Sequence, residues 1–101
     1  MSDAEAEVGA QTAPPAVVGD DPAPTATKVL RFLVGELVDE PDGVVIDQVD
    51  RRRGLLLEVR VAPGDMGRVI GRRGRTAQSI RTVVRAAATR DGVEVDVDFV
   101  D

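Results

Sequence analysis

The chain contains no cysteine, no histidine, no tryptophan and no tyrosine, and it has only two phenylalanines among its 101 residues. Without cysteine, the protein cannot form a disulfide, use a thiol nucleophile or hold zinc through thiolates. Without histidine, it lacks the commonest acid–base catalyst. We therefore expect a protein that is not an enzyme, with no catalytic residues, no cofactor and no metal.

Long hydrophobic runs are missing as well. No stretch approaches the roughly 18 apolar residues of a membrane-spanning helix. The N-terminus has neither the basic start nor the apolar stretch of a signal peptide. The length fits a single domain, and we expect it in the cytoplasm without a membrane contact.

A net charge of -5 disfavours binding to nucleic acid, but the charges are unevenly distributed. Residues 1–27 hold five acids and no base, which leaves 13 acids and 13 bases in residues 28–101. Within that part, residues 66–90 carry seven arginines and no acid. Because charges act over a Debye length of about 10 Å, this local density decides whether a phosphate is attracted.

Residues 1–27 also differ in composition from the rest of the chain. They contain four prolines and many alanines, and they show no hydrophobic periodicity. Such a segment cannot bury enough apolar surface to offset the entropy lost on ordering. We expect a disordered tail over residues 1–27, which either only solvates the protein or competes as an acidic arm for the basic surface.

The apolar pattern of residues 28–101 predicts a folded domain that begins with a helix. Thr27 is a suitable N-cap, apolar residues recur at helical spacing as far as Val38, and the Pro41-Asp42-Gly43 segment ends the helix. Two strands follow, one near residues 44–49 and a clearer one over residues 55–61. The Arg51-Arg52-Arg53-Gly54 segment between them is typical of a hairpin turn.

Two further helices and a last strand complete the pattern. Asp65 can cap a short helix from Met66 to Ile70, and a longer helix runs from about Arg75 to Arg90. Alternating apolar and acidic residues over 93–99 predict the last strand. The expected apolar face of the longer helix comprises Ala77, Ile80, Val83, Val84, Ala87 and Ala88.

This order of elements indicates an α+β fold, with a three-stranded sheet and the helices packed on one of its faces. Phe32 lies beside the apolar stripe of the first helix and Phe99 lies in the last strand, so we expect both in the core. Proteins that stack bases on a sheet need exposed aromatic side chains. We therefore expect base contacts from aliphatic side chains and hydrogen bonds.

Gly71-Arg72-Arg73-Gly74 connects the last two helices and is the main candidate for a functional site. Glycines allow a nucleic-acid strand to approach the main chain closely. The helix that follows offers free N–H groups and the positive end of its dipole. The two loop arginines add positive charge, and Arg68 and Arg75 flank them. Together these features predict a site for backbone phosphates.

Two nucleotide-binding motifs do not fit the same segment. A dinucleotide-binding fingerprint requires a further glycine at position 69 and a preceding strand, whereas the chain has Val69 after a predicted helix. The P-loop of nucleoside triphosphatases also requires a glycine at that position. A nucleotide-binding enzyme is therefore the least supported function.

The segment from Asp65 to Ala77, followed by Ile80 and Arg81, resembles the KH signature of the small bacterial KhpA-type proteins. The similarity extends over residues 28–101. It implies one type II KH domain with the order α-β-β-α-α-β. The acidic tail over residues 1–27 departs from this family, whose members are usually little more than the domain.

The resemblance implies a protein that clamps a short single-stranded RNA segment and acts in RNA-based regulation or as an RNA chaperone. The family's loop corresponds to Gly71-Arg72-Arg73-Gly74, and its groove-lining aliphatic residues correspond to Val69 and Ile70. A homodimer and a larger KH protein of the KhpB (Jag) type are the implied partners. The alternative function is a dimerisation or interaction subunit of such a complex, in which the partner reads the RNA.

Other charged residues fit structural roles at least as well as functional ones. Arg81 and Arg85 either follow an RNA strand or form a solvated helix face, and the hairpin arginines 51–53 favour solubility over a part in the clamp. Glu94, Asp96 and Asp98 fit an exposed sheet face better than a metal or acid–base site.

Overall fold

The computed structural model describes residues 21–100, which form three α-helices and three strands. Their order is α1 (Pro24–Leu37), β1 (Val45–Arg51), β2 (Gly54–Arg60), α2 (Met66–Ile70), α3 (Arg75–Asp91) and β3 (Val95–Phe99). This confirms the predicted α+β order. The expected tail lies outside the described residues, except for residues 21–27. None of the helices within residues 21–100 is long and apolar enough to cross a membrane.

The sheet has β2 at its centre, antiparallel to β1 and parallel to β3. Leu57 lies opposite Val97 in the register, and both side chains are buried under the helices. The next pair along the strands, Glu58 and Asp98, points to the open face. A sheet with helices on one face and solvent on the other produces this alternation, which confirms the predicted architecture.

α3 supplies the centre of the core. Its buried residues recur at helical spacing and pack with the buried residues of α1 and with the helix-facing side of the sheet. The buried residues of α1 and α3 are Ala26, Leu30, Val34, Ala77, Ile80, Val84 and Ala88.

Two apolar residues that were expected in the core lie on the surface. Phe32 is 65% exposed and Val83 is 47% exposed. Each lies beside the buried stripe of its helix rather than within it, so no neighbouring element covers it. The prediction that Phe32 belongs to the core is therefore wrong, whereas Phe99 is half-buried and packs against the core as expected.

α1 begins at Pro24 with Ala23 as its N-cap residue, four residues before the N-cap expected at Thr27, so residues 24–27 of the expected tail are helical. Proline suits the first position of a helix, because the N–H group it lacks has no acceptor within the helix. The N–H groups of Thr25 and Ala26 donate to the carboxylate of Asp91, over 3.1 and 2.9 Å. A side chain at the far end of α3 therefore caps α1, and this pairing ties the two helices together.

The same contacts determine the ionisation of Asp91. Burial alone raises the pKa of this carboxyl, but the hydrogen bonds from Ala26 and Thr25 and the nearby charge of Arg90 outweigh burial, so its pKa is lowered. The charged form is the better acceptor for N–H groups at a helix N-terminus.

We expect Asp91→Asn to lower the free energy of unfolding by about 1 kcal/mol, because the N-terminus of α1 loses its charged acceptor. A carboxyl with a lowered pKa stabilises the fold above its unfolded pKa of about 3.9. That contribution is lost as the pH falls from there through the pKa of the folded state. Urea unfolding at a series of pH values should show the wild type and the variant converging under acid conditions.

Asp98→Asn is the matched control, because the Asp98 carboxylate is exposed and accepts no hydrogen bond within the described part of the chain. An equal loss of stability in both variants at neutral pH would contradict the capping role of Asp91.

Candidate nucleic-acid interface

The turn between α2 and α3 begins at Gly71, as predicted. Its φ of 75° and ψ of -180° lie in a region that is open essentially only to glycine. A Cβ atom at this position would overlap the side chain of Thr76 in the first turn of α3. Gly71 is therefore required both by its backbone conformation and by the close approach of the two helices.

Two further residues of the loop adopt left-handed backbone conformations. Gly74 has a φ of 73°, and open space surrounds the position where its Cβ would lie. Arg73 has a φ of 55°, and it is the one non-glycine residue with positive φ among residues 21–100. These conformations turn the chain sharply and leave Arg72 and Arg73 exposed to solvent.

The main-chain N–H groups of the loop are only partly used by the protein itself. Gly71 donates to the carbonyl of Gly67 over 2.9 Å, and Gly74 donates to the carbonyl of Gly71 over 3.3 Å. Within the described residues, the N–H groups of Arg72 and Arg73 donate to no acceptor. The loop therefore keeps two main-chain donors for an external anion.

Positive charge accumulates where α3 begins. Arg72, Arg73 and Arg75 are exposed, none of them forms an ion pair with an acid in the described chain, and the first turn of α3 contains no acid. The N-terminus of a helix carries partial positive charge, so each cation there costs the fold several tenths of a kcal/mol, roughly. An anion bound at the loop relieves this repulsion.

Arg68, the fourth predicted arginine, is engaged by acids of the fold. One of its terminal nitrogens lies 2.8 Å from Asp39, and its Nε lies 3.3 Å from Asp65. About half of its side chain remains exposed, so it can still face a ligand, but two carboxylates already compensate its charge.

Asp65 does not cap α2, contrary to the prediction. Its side chain makes no capping hydrogen bond with that helix. Instead the carboxylate, which is 4% exposed, accepts the N–H groups of Asp39 and Glu40 after α1. Asp65 thus fastens the start of α2 to the segment that joins α1 to β1.

The aliphatic residues of the predicted site separate into core and surface. Val69 is completely buried, so it has no surface to offer a base and instead anchors α2 in the core. Ile70 is half-buried and remains available as a wall beside the loop. Ile80 lies in the core, as expected.

The side chains of Arg81 and Arg85 contact the edge strand β3. Arg81 donates to the carbonyl of Val97 over 3.0 Å, and its guanidinium lies 5.7 Å from the ring centroid of Phe99. Arg85 pairs with Asp96 over 2.8 Å. Both arginines therefore line the outer edge of β3. The ion pair between Arg85 and Asp96 was not predicted. The alternating acids of β3 and the arginines one turn apart on α3 are the sequence pattern that could have indicated it.

Known proteins of one family match this chain over most of the described domain. A family model described as KhpA/KhpB, KH domain matches residues 27–99. The chain is 53% identical over 74 residues to the RNA-binding protein KhpA of Streptomyces coelicolor, which covers 73% of this chain and 92% of that protein. It is 40% identical over 73 residues to the protein of the same name from Caldanaerobacter subterraneus, with coverages of 72% and 97%.

The fold of this chain is also similar to part of a solved structure. A crystal structure of Aquifex aeolicus Era bound to GDP and AlF4⁻ superposes with a TM-score of 0.55 at 19% sequence identity. The match covers 73% of this chain and 29% of that one. At this identity the likeness concerns the fold alone.

The two loop glycines should differ in their tolerance of a side chain. We expect Gly71→Ala to lower the free energy of unfolding by more than about 2 kcal/mol, because strain at its φ and ψ adds to the overlap with Thr76. Gly74→Ala should cost only about 1 kcal/mol, the penalty of a left-handed residue in open space. Urea unfolding of both variants measures the difference.

Gly35→Ala in α1 is the control, because a Cβ there meets nothing within 4 Å. It should stabilise the protein by up to about 1 kcal/mol, through helix propensity. Equal costs for Gly71→Ala and Gly74→Ala would show that the contact with Thr76 does not constrain the turn.

Proposed function

We propose, since this chain belongs to the KhpA/KhpB KH-domain family, that it binds single-stranded RNA at the Gly71–Gly74 loop and catalyses no reaction. One observation carries the proposal. Two open main-chain N–H groups, three exposed arginines and the N-terminus of α3 converge on a single exposed turn. KH domains clamp about four nucleotides of backbone with a loop of this kind.

Each part of the loop has a distinct role in the proposed clamp. Gly71 sets the turn, and Gly74 leaves open space through which the strand reaches the main chain. Arg72 and Arg73 hold phosphates through paired N–H donors. Arg75 adds charge at the start of α3.

The residues around the loop contribute unequally. Ile70 offers an aliphatic wall to a base, while Val69 supports the loop from the core. Arg68 contributes less than the loop arginines, because Asp39 and Asp65 already compensate its charge. With no aromatic side chain in the loop segment, sequence selectivity should be modest.

A single domain with this site binds RNA weakly, and a second copy raises the effective affinity by linking two sites. We therefore propose a homodimer that acts in the cytoplasm in RNA-based regulation or as an RNA chaperone. A larger KH protein of the KhpB (Jag) type is the proposed further partner.

The double variant Arg72→Asp/Arg73→Asp should lower the affinity for single-stranded RNA at least tenfold, because two attractive charges become repulsive. Its melting temperature should stay near the wild-type value. Both side chains are exposed, and aspartate tolerates the left-handed conformation at position 73. Fluorescence anisotropy with a labelled RNA, across a series of salt concentrations, measures the effect.

The matched control is Lys28→Asp/Arg31→Asp, which reverses two exposed charges on α1. It changes the net charge equally but leaves the loop intact, so it should reduce affinity much less. If the two double variants lose affinity equally, net charge rather than the loop governs binding, and if the loop variant loses none, the loop does not hold the RNA; either result makes the proposed clamp wrong.

A second candidate function, that of a dimerisation or interaction subunit, has its own support. Phe32 on α1 and Val83 on α3 are large apolar residues left exposed on two helices that pack against each other. Exposed apolar surface of this kind is typical of protein–protein contacts. In this case the partner would read the RNA, and crosslinking of RNA to the purified protein alone argues against it.

We expect Phe32→Glu and Val83→Glu each to shift the protein from dimer to monomer in analytical ultracentrifugation, because a charge replaces buried apolar surface at the interface. Val45→Glu is the control, since Val45 is as exposed as Val83 but lies on β1. A monomeric wild type, or an unchanged dimer in both helix variants, would contradict this role for the two helices.

A further inference from the structure

The arginines fall into two groups according to what holds them. Arg60, Arg68 and Arg85 form ion pairs with acids, and Arg81 donates to a main-chain carbonyl. Within residues 21–100 the remaining arginines form no ion pair. Six of these lie in two clusters, which are Arg72, Arg73 and Arg75 at the loop and Arg51, Arg52 and Arg53 at the hairpin.

The hairpin cluster, Arg51–Arg53, lies at the opposite end of the domain from the loop. Arg51 pairs with Gly54 at the tip of the hairpin. The N–H group of Leu55 donates over 2.9 Å to the carbonyl of Glu94, just after the C-terminus of α3. The loop lies at the N-terminus of the same helix. The 17 residues of α3 span about 25 Å, so the two clusters are distinct surfaces.

The main chain beneath the hairpin cluster is tightly packed. Gly54 has a φ of 105°, and a Cβ there would overlap the carbonyl oxygen of Glu94. All three arginines are nevertheless exposed. A cleft lined by Arg53, Arg85, Thr89 and Val93 runs beside them. The fold therefore presents three adjacent guanidinium groups from a fixed turn, next to a concave surface.

Three acids lie near the hairpin cluster, and none of them forms an ion pair with it: Asp50 directly precedes Arg51, and Glu94 and Asp96 line the cleft. Asp96, which lines the same cleft, is already paired with Arg85 over 2.8 Å. Glu94 is exposed and makes no ion pair with the hairpin arginines. Three exposed guanidinium groups that form no ion pair within residues 21–100 suit a ligand with several regularly spaced anionic groups, and a phosphodiester backbone has this character.

We propose that Arg51–Arg53 form a second phosphate site for the same RNA strand that the loop holds, an inference that rests on the proposed function. A stacked strand rises about 3.4 Å per nucleotide, so 25 Å requires about seven nucleotides. Added to the roughly four nucleotides held at the loop, this makes about eleven nucleotides for both sites. The second site contacts phosphates only, so it adds affinity without sequence selectivity.

The variant Arg51→Gln/Arg52→Gln/Arg53→Gln tests the second site. Anisotropy titrations with RNAs of 5, 8, 11, 14 and 20 nucleotides should show a steep rise in wild-type affinity up to about eleven nucleotides, the length that reaches both sites of one copy. In the variant, affinity for the 5-nucleotide RNA should stay within twofold of wild type, and affinity for the 20-nucleotide RNA should fall at least tenfold. The salt dependence of binding to the longer RNA should weaken by about two units of slope, at roughly 0.7 per phosphate contact.

Lys28→Gln/Arg31→Gln is the control, because it removes exposed charges from α1 and should leave the slope unchanged. Circular dichroism confirms that the hairpin variant is folded. Wild-type affinity and slope for the 20-nucleotide RNA in the hairpin variant would overturn the second site. Tighter RNA binding by that variant would also overturn it, because removing arginines that hold phosphates cannot raise the affinity.

The two variants distinguish a failure of the loop clamp from a failure of the second site. If Arg72→Asp/Arg73→Asp leaves binding of the 5-nucleotide RNA intact, the loop is not the clamp and the proposed function fails. If the hairpin variant alone abolishes binding of the 5-nucleotide RNA, the hairpin is the main RNA site. Both the loop clamp and the role of the hairpin as a second site are then overturned. If only the long-RNA effect is absent, the loop clamp stands and the second site is refuted.

Discussion

The contact between Gly71 and the first turn of α3 is the constraint on which the proposed site depends. α2 has only five residues, too few to hold a helical conformation alone. Val69 anchors it in the core, and Gly71 packs against Thr76. The Asp65 carboxylate accepts hydrogen bonds from the segment after α1. Because the short helix is held in this position, the turn that follows it leaves the N–H groups of Arg72 and Arg73 without an acceptor in the described chain and their side chains exposed.

The same structure explains how an acidic protein can present a cationic surface. The open face of the sheet carries Glu58 and Asp98, which form no ion pair within the described residues and disfavour a phosphate strand there. Asp47 and Asp96 on the same face pair with Arg60 and Arg85. Several arginines neutralise acids of the fold, and the loop and hairpin arginines do not. Net charge therefore says little about the ligand, because the field within a Debye length of a bound phosphate comes from its nearest side chains.

Much of the architecture could be predicted because it follows from local rules. Helical spacing, strand alternation and the glycine punctuation at position 71 gave the order of elements, and the bounds of α2 were predicted residue for residue. The position of the Gly-Arg-Arg-Gly loop was also predicted from sequence, because glycines interrupt the apolar pattern between the last two helices. The start of α1 was missed because Pro24 was taken for a tail residue, whereas proline also opens helices.

The sequence by itself determined the type and order of the elements, the position of the loop and the uneven distribution of charge, because each depends on residues close together in the chain. Only the tertiary structure decided that Asp65 serves the segment after α1, that Asp91 caps α1, that Phe32 is exposed and which arginines are neutralised. Each of those outcomes depends on a partner, or on covering residues, far away in sequence. Periodicity shows which side of a helix is apolar, but the neighbouring elements decide what covers that side.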